Sequence, residues 1–482
     1  MGKIRKAERR IIKQLEEQIR LLTKTCCSLE QKNDLLEETV KLLKEENAYL
    51  QFQIKEFQNK VYKKNKTKKD KDQHDKSADK SKKSKKRGAP WGHIGWFRKK
   101  PKKIDEVKDV TLDKCPECGS TDIEDTGEIE EHIQEDIVIP EVKAVSYQRH
   151  FYKCLGCGGY VEGCGEGELP GSYIGPVTKT VAVYLKYHTK VSDRDIQKIF
   201  QNLFGLTVDP SSIPGFRNQL RKKFAPLYKA LLEKIKKSPF LHVDETGWRL
   251  EGKNHWLWSF SGKGVSLSRI QEGRGQKDLE NVLGKRYKGI LISDFLSAYN
   301  KIKTKAKQRC LGHLSKDLKK VREYLPDDEV IQRFCKRLKD IIDQARQFQK
   351  TYRAGKIRKS ELDEKRKMLE EFLKDLKLAD PTHKIIQTFI KRLERHKSEL
   401  LTFLRYPSID CNNNFAERQI RFHVLLRKII FQNRSYKGIL NHNVLTSIIQ
   451  TAKLNGLNPL KVLQDLICNF DKPNALDLVI PP

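Results

Sequence analysis

Two short apolar runs, each closing on a carboxylate, constrain the fold of this chain more than any other feature. In Pro239-Phe-Leu-His-Val-Asp-Glu-Thr-Gly247 an apolar, β-branched stretch carries Asp244 to its end and breaks at Gly247. Gly289-Ile-Leu-Ile-Ser-Asp294 repeats the pattern. Such runs, bounded by Gly or Pro, read as buried strands. Between them lie two more strand-like stretches, His255–Phe260 and Gly264–Ile270, and a helical one, Lys277–Leu283. Three strands in a meander, then a helix and a fourth strand, imply a right-handed crossover that returns the last strand beside the first. Asp244 and Asp294 would then meet at one edge of a mixed α/β sheet.

Two carboxylates brought that close repel unless cations lie between them, and oxygen ligands of this kind suit Mg²⁺ or Mn²⁺. Two such ions, about 3.5–4 Å apart, serve in-line displacement at phosphorus. The strand order resembles the ribonuclease-H-like arrangement. A third acid normally completes the cage, and spacing leaves Glu245, Asp410 and Glu417 open. Glu245 adjoins Asp244 and in a strand would point to the opposite face; Asp410 lies in a loop. Glu417 starts a helix, where Asn414-x-x-Glu417 equally fits a capping box.

Charge points toward a polyanionic partner. Lys+Arg 97 against Asp+Glu 63 leaves +34, far beyond the roughly 2–8 that solubility asks of a small domain. DNA or RNA is the commonest partner for such a surplus. No apolar run reaches the roughly 18 residues of a membrane helix, and the N-terminus is charged rather than signal-like, so a soluble intracellular protein is expected.

From Ile12 to Val61 runs a heptad register. Leu15, Leu22, Leu29, Leu36, Leu43, Leu50 and Phe57 hold d positions; Ile12, Ile19, Cys26, Asn33, Val40, Asn47, Ile54 and Val61 hold a positions. This pattern predicts a parallel two-stranded coiled coil whose register Asn33 and Asn47 fix. Lys63–Arg87 is too polar to bury a core and reads as a disordered basic tether. Arg87–Arg98 mixes Gly, aromatics and Arg in a loop able to lie along a DNA backbone. Cys115-Pro-Glu-Cys118 and Cys154-Leu-Gly-Cys157 are paired knuckles placing four thiolates for one structural Zn²⁺, in a zinc ribbon with an inserted hairpin; Cys164 is a bystander. Three short helices over 178–225, the last being Phe216–Phe224 with Arg217, Arg221, Lys222 and Lys223, fit a helix-turn-helix.

These features together resemble the DDE transposases of the insertion sequence 66 family. The shared pieces are the coiled coil, the basic loop, the zinc ribbon, Val243-Asp-Glu-Thr246, Ser293-Asp294, Cys310-Leu-Gly-His313 and Asn413-Asn-Phe-Ala-Glu-Arg418. Arg427-Lys428, followed by Phe431, Ser435 and Gly438, completes the pattern. The sequence departs from it at Asn412, where Asp is usual, and at Phe422, where proline often stands. The resemblance implies Asp244, Asp294 and Glu417 as the metal-binding catalytic triad, with two Mg²⁺ or Mn²⁺ ions. The reaction implied is binding of terminal inverted repeats, hydrolysis of a phosphodiester to a 3′-hydroxyl, and attack of that hydroxyl on target DNA. Partners implied are double-stranded DNA, a second copy through the coiled coil, and helper proteins, in a prokaryotic cytoplasm beside the nucleoid. Arg217, Arg221, Lys222, Arg418, Arg421, Arg427 and Lys428 are expected to meet phosphates.

The chain accordingly divides into a coiled-coil helix (1–62), a basic linker and loop (63–104), a zinc ribbon (105–168) and a helical DNA-binding region (169–236). A ribonuclease-H-like domain (237–455) with a helical insertion at about 316–404 and a C-terminal helix and tail (456–482) follow. Two other functions fit the same residues: an inactive or domesticated transposase acting as a dimeric regulator, and a structure-selective nuclease.

Overall fold

The structure, a computed structural model, describes residues 2–62 and 103–481 apart from 109–110, 114–115, 123, 125–132, 136–140, 166, 170, 377–383 and 470–474. The basic tether, the Gly/aromatic loop Arg87–Arg98, and Cys115 lie outside the described residues. The chain forms two units, 1–59 with 142–482, and 60–141. In the smaller unit the described residues include a turn at Pro116–Cys118.

In the larger unit, α1 (Gly2–Tyr62) carries the heptads. A short hairpin, β1 (Phe151–Lys153) and β2 (Tyr160–Glu162), brackets the second cysteine knuckle. There the Gly158 N–H donates to the Cys154 carbonyl at 2.8 Å. Three helices follow: α2 (Pro176–Val183), α3 (Asp193–Phe204) and α4 (Ser212–Lys237). The basic helix expected to stop at Phe224 runs on through Pro226, because Ile213, Phe216, Leu220, Phe224, Leu227, Leu231 and Ile235 form one unbroken buried stripe.

A five-stranded sheet holds the centre: β3 (Phe240–Leu250), β4 (Lys253–Gly262), β5 (Val265–Gln271), β6 (Arg286–Ser293) and β7 (Lys303–Arg309), with α5 (Gln276–Leu283) before β6. Its order is β5-β4-β3-β6-β7. β3, β4 and β5 form the antiparallel meander, and β6 and β7 run parallel to β3. Two details differ from expectation. β3 does not break at Gly247; Gly247 pairs with Trp256, and the strand turns only at Glu251-Gly252. Both turn residues have positive φ, 49° and 75°, as a two-residue hairpin requires. The fifth strand, β7, was not foreseen.

Helices cover both faces. On one, Leu227, Leu231 and Ile235 of α4 join Leu241, Val243 and Phe260 and the buried helix α12 (Tyr436–Leu454) in the largest core. On the other, Ile290 and Ile292 pack with α6 (Leu311–Tyr324), α7 (Glu329–Arg353), α8 (Lys359–Asp375), α9 (Lys384–Arg395) and α10 (Thr402–Arg405). The chain then enters α11 (Asn414–Ile430), α12 and α13 (Pro459–Asn469). Edge strand β5 is closed by α12. The N–H groups of Ile270, Ser268 and Ser266 donate to Asn443 Oδ1, Ser447 Oγ and Thr451 Oγ1 at 2.9, 2.9 and 3.1 Å. Helical i, i+4 spacing here matches the two-residue period of the strand. Among the described residues, no helix is long and apolar enough to cross a membrane.

Candidate active site

Parallel pairing of β3 with β6 ends at His242↔Ile292. Continued two residues, that register sets Asp244 opposite Asp294, just past the end of β6, while β3 stays paired with β4. Carboxylate oxygens of Asp244, Glu245 and Asp294 lie within 4.8 Å of one another. Glu245 therefore shares the notch with Asp244, contrary to the alternation expected along a strand. Alternation fixes only Cβ directions, and the Asp244 carboxylate turns toward its neighbour, its Oδ1 accepting from the Glu245 N–H at 3.0 Å.

Glu245 is held firmly. Its Oε1 accepts from Arg274 Nη2 at 2.6 Å and Nε at 2.9 Å, and its Oε2 from the Tyr299 hydroxyl at 2.6 Å. Its side chain is 1% exposed. Burial, then repulsion from Asp294, raises its pKa despite these partners. Asp244 is pushed up to about 7, by burial first and then by Glu245, Asp294 and Glu417. Asp294 Oδ1 accepts from the Leu296 N–H at 2.8 Å, which closes the turn after β6. Arg309, fully buried at the end of β7, fixes that turn: it donates to the Asp294 carbonyl at 2.8 Å, to Asn300 Oδ1 at 2.7 Å and to Glu399 Oε2 at 2.6 Å.

Glu417 lies in the first turn of α11 and sits near Asp244 without joining that cluster. Its oxygens are 3.8 Å from His313 Nδ1 and 3.7 Å from Lys316 Nζ, both on α6. No capping box forms, for the cap residue is Asn413, whose side chain makes no cap hydrogen bond. It instead crosses to β3, where Nδ2 donates to the Val243 carbonyl at 2.8 Å and Oδ1 lies 3.2 Å from His242 Nδ1. Its N–H donates to Cys310 Sγ at 3.1 Å. Burial would raise the Cys310 thiol, but His313 and these N–H contacts hold it low, while Cys310 lifts the His313 pKa to about 9. Asp410 lies apart, paired with Arg353 at 3.2 Å.

The basic residues divide by environment. Arg418, Arg421 and Lys428 lie on the exposed face of α11, and Lys222 is exposed on α4. Arg221 is partly buried. Arg217 makes a two-pronged pair with Asp193 at 2.7 and 3.0 Å. Arg427 donates to the Gly247 carbonyl and to Thr246 Oγ1, binding α11 to β3. Just beyond α11, Asn433 Oδ1 accepts from Trp248 Nε1 at 2.7 Å, and Gln432 Oε1 accepts from the Gly252 N–H at 2.8 Å. Sequence reasoning missed Arg274, Tyr299 and Arg309, and met Asn413 only as part of a family motif, without its tie to β3. Only Arg274, inside Gly273-Arg-Gly275, carried a local signal.

The family model described as "Transposase IS66 family" matches residues 171–440, more than half of the chain. That span holds the whole sheet, all three acids and α11. The chain is also 24% identical over 318 residues to the uncharacterized protein y4jD of Sinorhizobium fredii (strain NBRC 101917 / NGR234). That match covers 58% of this chain and 60% of the relative, so less than two thirds of the relative's length is spanned. Through this match over residues 171–440, the chain belongs to the IS66 family of transposases.

Proposed function

We propose that this chain cuts and rejoins DNA as a transposase, with Asp244, Asp294 and Glu417 as its catalytic acids. The observation that carries the reading is the β3–β6 register, which sets Asp244 opposite Asp294 just past the last β3–β6 pair, where β6 ends, within the family-matched span. The sheet order supports a ribonuclease-H-like domain, with α6–α10 as its helical insertion.

The acid cluster fits divalent cations: its donors are all oxygen, and the raised proton affinity of Asp244 reflects burial first and then crowded negative charge, which a cation would relieve. Mg²⁺ or Mn²⁺ held by these acids would supply the charge that activates an attacking oxygen and stabilises a leaving one. The protein's own share is positional. Arg309 and the Leu296 N–H orient Asp294, Arg274 and Tyr299 hold Glu245, and Asn413 ties the start of α11 to β3. Arg418, Arg421 and Lys428 face solvent along α11 and are the proposed phosphate contacts there, joined by Arg221 and Lys222 on α4. Arg217 and Arg427 are committed to protein partners and serve those helices structurally. The two C-x-x-C pairs are retained, on spacing alone, as ligands of one structural zinc.

The test is strand cleavage on the element's inverted-repeat ends with Mg²⁺. Asp244→Asn, Asp294→Asn and Glu417→Gln should each abolish cutting while end binding persists. Normal cutting by any one of them removes that residue from the triad. Glu245→Gln, run in parallel, reads whether the buried acid beside Asp244 shares the role.

A further inference from the structure

Beside the all-oxygen cluster lies a second group of donors with different chemistry. Cys310 is the N-cap residue of α6, His313 stands three residues on, and Glu417 faces them from the first turn of α11. A Cys310 sulfur, a His313 ring nitrogen and a Glu417 carboxylate oxygen lie within 4.8 Å of one another. His313 Nδ1 and Glu417 Oε1 are 3.8 Å apart, too far for a hydrogen bond. Both atoms are buried and without a hydrogen-bond partner. Buried polar atoms are nearly always satisfied, so two orphans facing each other across one gap call for something between them. Ligands of one tetrahedral zinc, bound at about 2.0–2.3 Å, are themselves roughly 3.5 Å apart.

We propose that Cys310, His313 and Glu417 bind one thiophilic divalent cation of the Zn²⁺ type. Sulfur, imidazole and carboxylate together suit zinc and disfavour Mg²⁺, which takes oxygen. The sulfur has the support a metal-bound thiolate needs: it sits at a helix N-terminus and accepts the Asn413 N–H at 3.1 Å. Asn413 also binds the Val243 carbonyl, so this site and Asp244 share a wall. An ion here would join α6 to α11 and fix Glu417 through one oxygen, leaving the other free to turn toward the acid cluster. The site stands whether or not the chain cuts DNA.

The experiment is metal analysis of the full chain, purified without chelator and dialysed against excess Mg²⁺. Cys310→Ser and His313→Ala should each carry one zinc equivalent fewer than wild type, whereas Asp244→Asn should carry the wild-type amount. After exchange with Co²⁺, part of the near-ultraviolet thiolate-to-cobalt absorption should vanish in Cys310→Ser. Serine keeps the volume of the buried cysteine, and the His313 side chain is 37% exposed, so neither change removes core packing. Unchanged zinc in both variants would overturn the proposal. So would equal zinc loss in Asp244→Asn, which would place the ion in the acid cluster. Neither readout involves DNA, so loss of this site and loss of the transposase reading are told apart.

Discussion

His423 Nδ1 lies 3.0 Å from His442 Nε2, and the His442 ring packs 4.7 Å from Trp248 and edge-on to Tyr187 at 5.9 Å. One proton between the two nitrogens makes one ring the donor and the other the acceptor, so both are neutral in the folded protein. Burial lowers the His423 pKa to about 3; burial and then His423 lower that of His442 well below its ordinary value. The sign follows directly. Below pH 6.5 the unfolded chain binds protons that the folded chain refuses, so stability is present above 6.5 and drains away as pH falls. The loss is about 1.4 kcal/mol per pH unit for each imidazole. Urea midpoints between pH 7 and 5 should show this, and His423→Gln should flatten the dependence; a wild-type slope in that variant would mean that His423 charges inside the fold. At this scale Asp244 and Asp294 were legible because each ends an apolar run. Glu245 was readable only as one of three candidates for the third acid, and Asn413 only as part of a family motif. Tyr299 and Arg309 were not readable, since their contacts with Glu245 and Glu399 join residues 54 and 90 positions apart, which no local period encodes.

Strands β3 to β6 and the crossover helix were readable from period and turn chemistry. β7 was hidden because Lys303-Thr-Lys-Ala-Lys-Gln-Arg309 is a charged edge strand, and edges favour lysine where centres favour valine. Helix α12 was obscure for the opposite reason: residues 441–452 are buried all round, so no polar face marks its period. Its polar residues cover β5. Ser447→Ala removes the acceptor of the Ser268 N–H and leaves a buried donor stranded, at about 1–3 kcal/mol. Asn443→Ala should cost a similar amount through Ile270. Denaturant titration checks both, and losses below about 0.5 kcal/mol would mean that other groups satisfy those N–H atoms.

For the molecule as a whole, α1 presents its d positions to solvent: Leu22, Leu29, Leu36 and Leu43 are 58–65% exposed. Tyr49 and Glu46, which meet α9 and its neighbours, lie outside the a and d positions and leave the stripe open. Burying each such leucine in a parallel partner is worth about 1.5–3 kcal/mol. Leu29→Glu with Leu36→Glu should therefore convert a dimer to a monomer in sedimentation equilibrium; a dimer of undiminished affinity would place the interface elsewhere. The heptads made this helix plain in the sequence, whereas packing of α6–α10 on β6 was not, because it joins segments that share no local pattern. Finally, α11 is fastened to β3 near both ends, by Asn413 at Val243 and by Arg427 at Gly247, with Asn433 beyond. Mechanically, strand and helix form one stiff lever. A motion that adjusts Glu417 against Asp244 cannot come from that lever, so it must come from rotation of the Glu417 side chain, whose carboxylate meets His313 and Lys316 of α6.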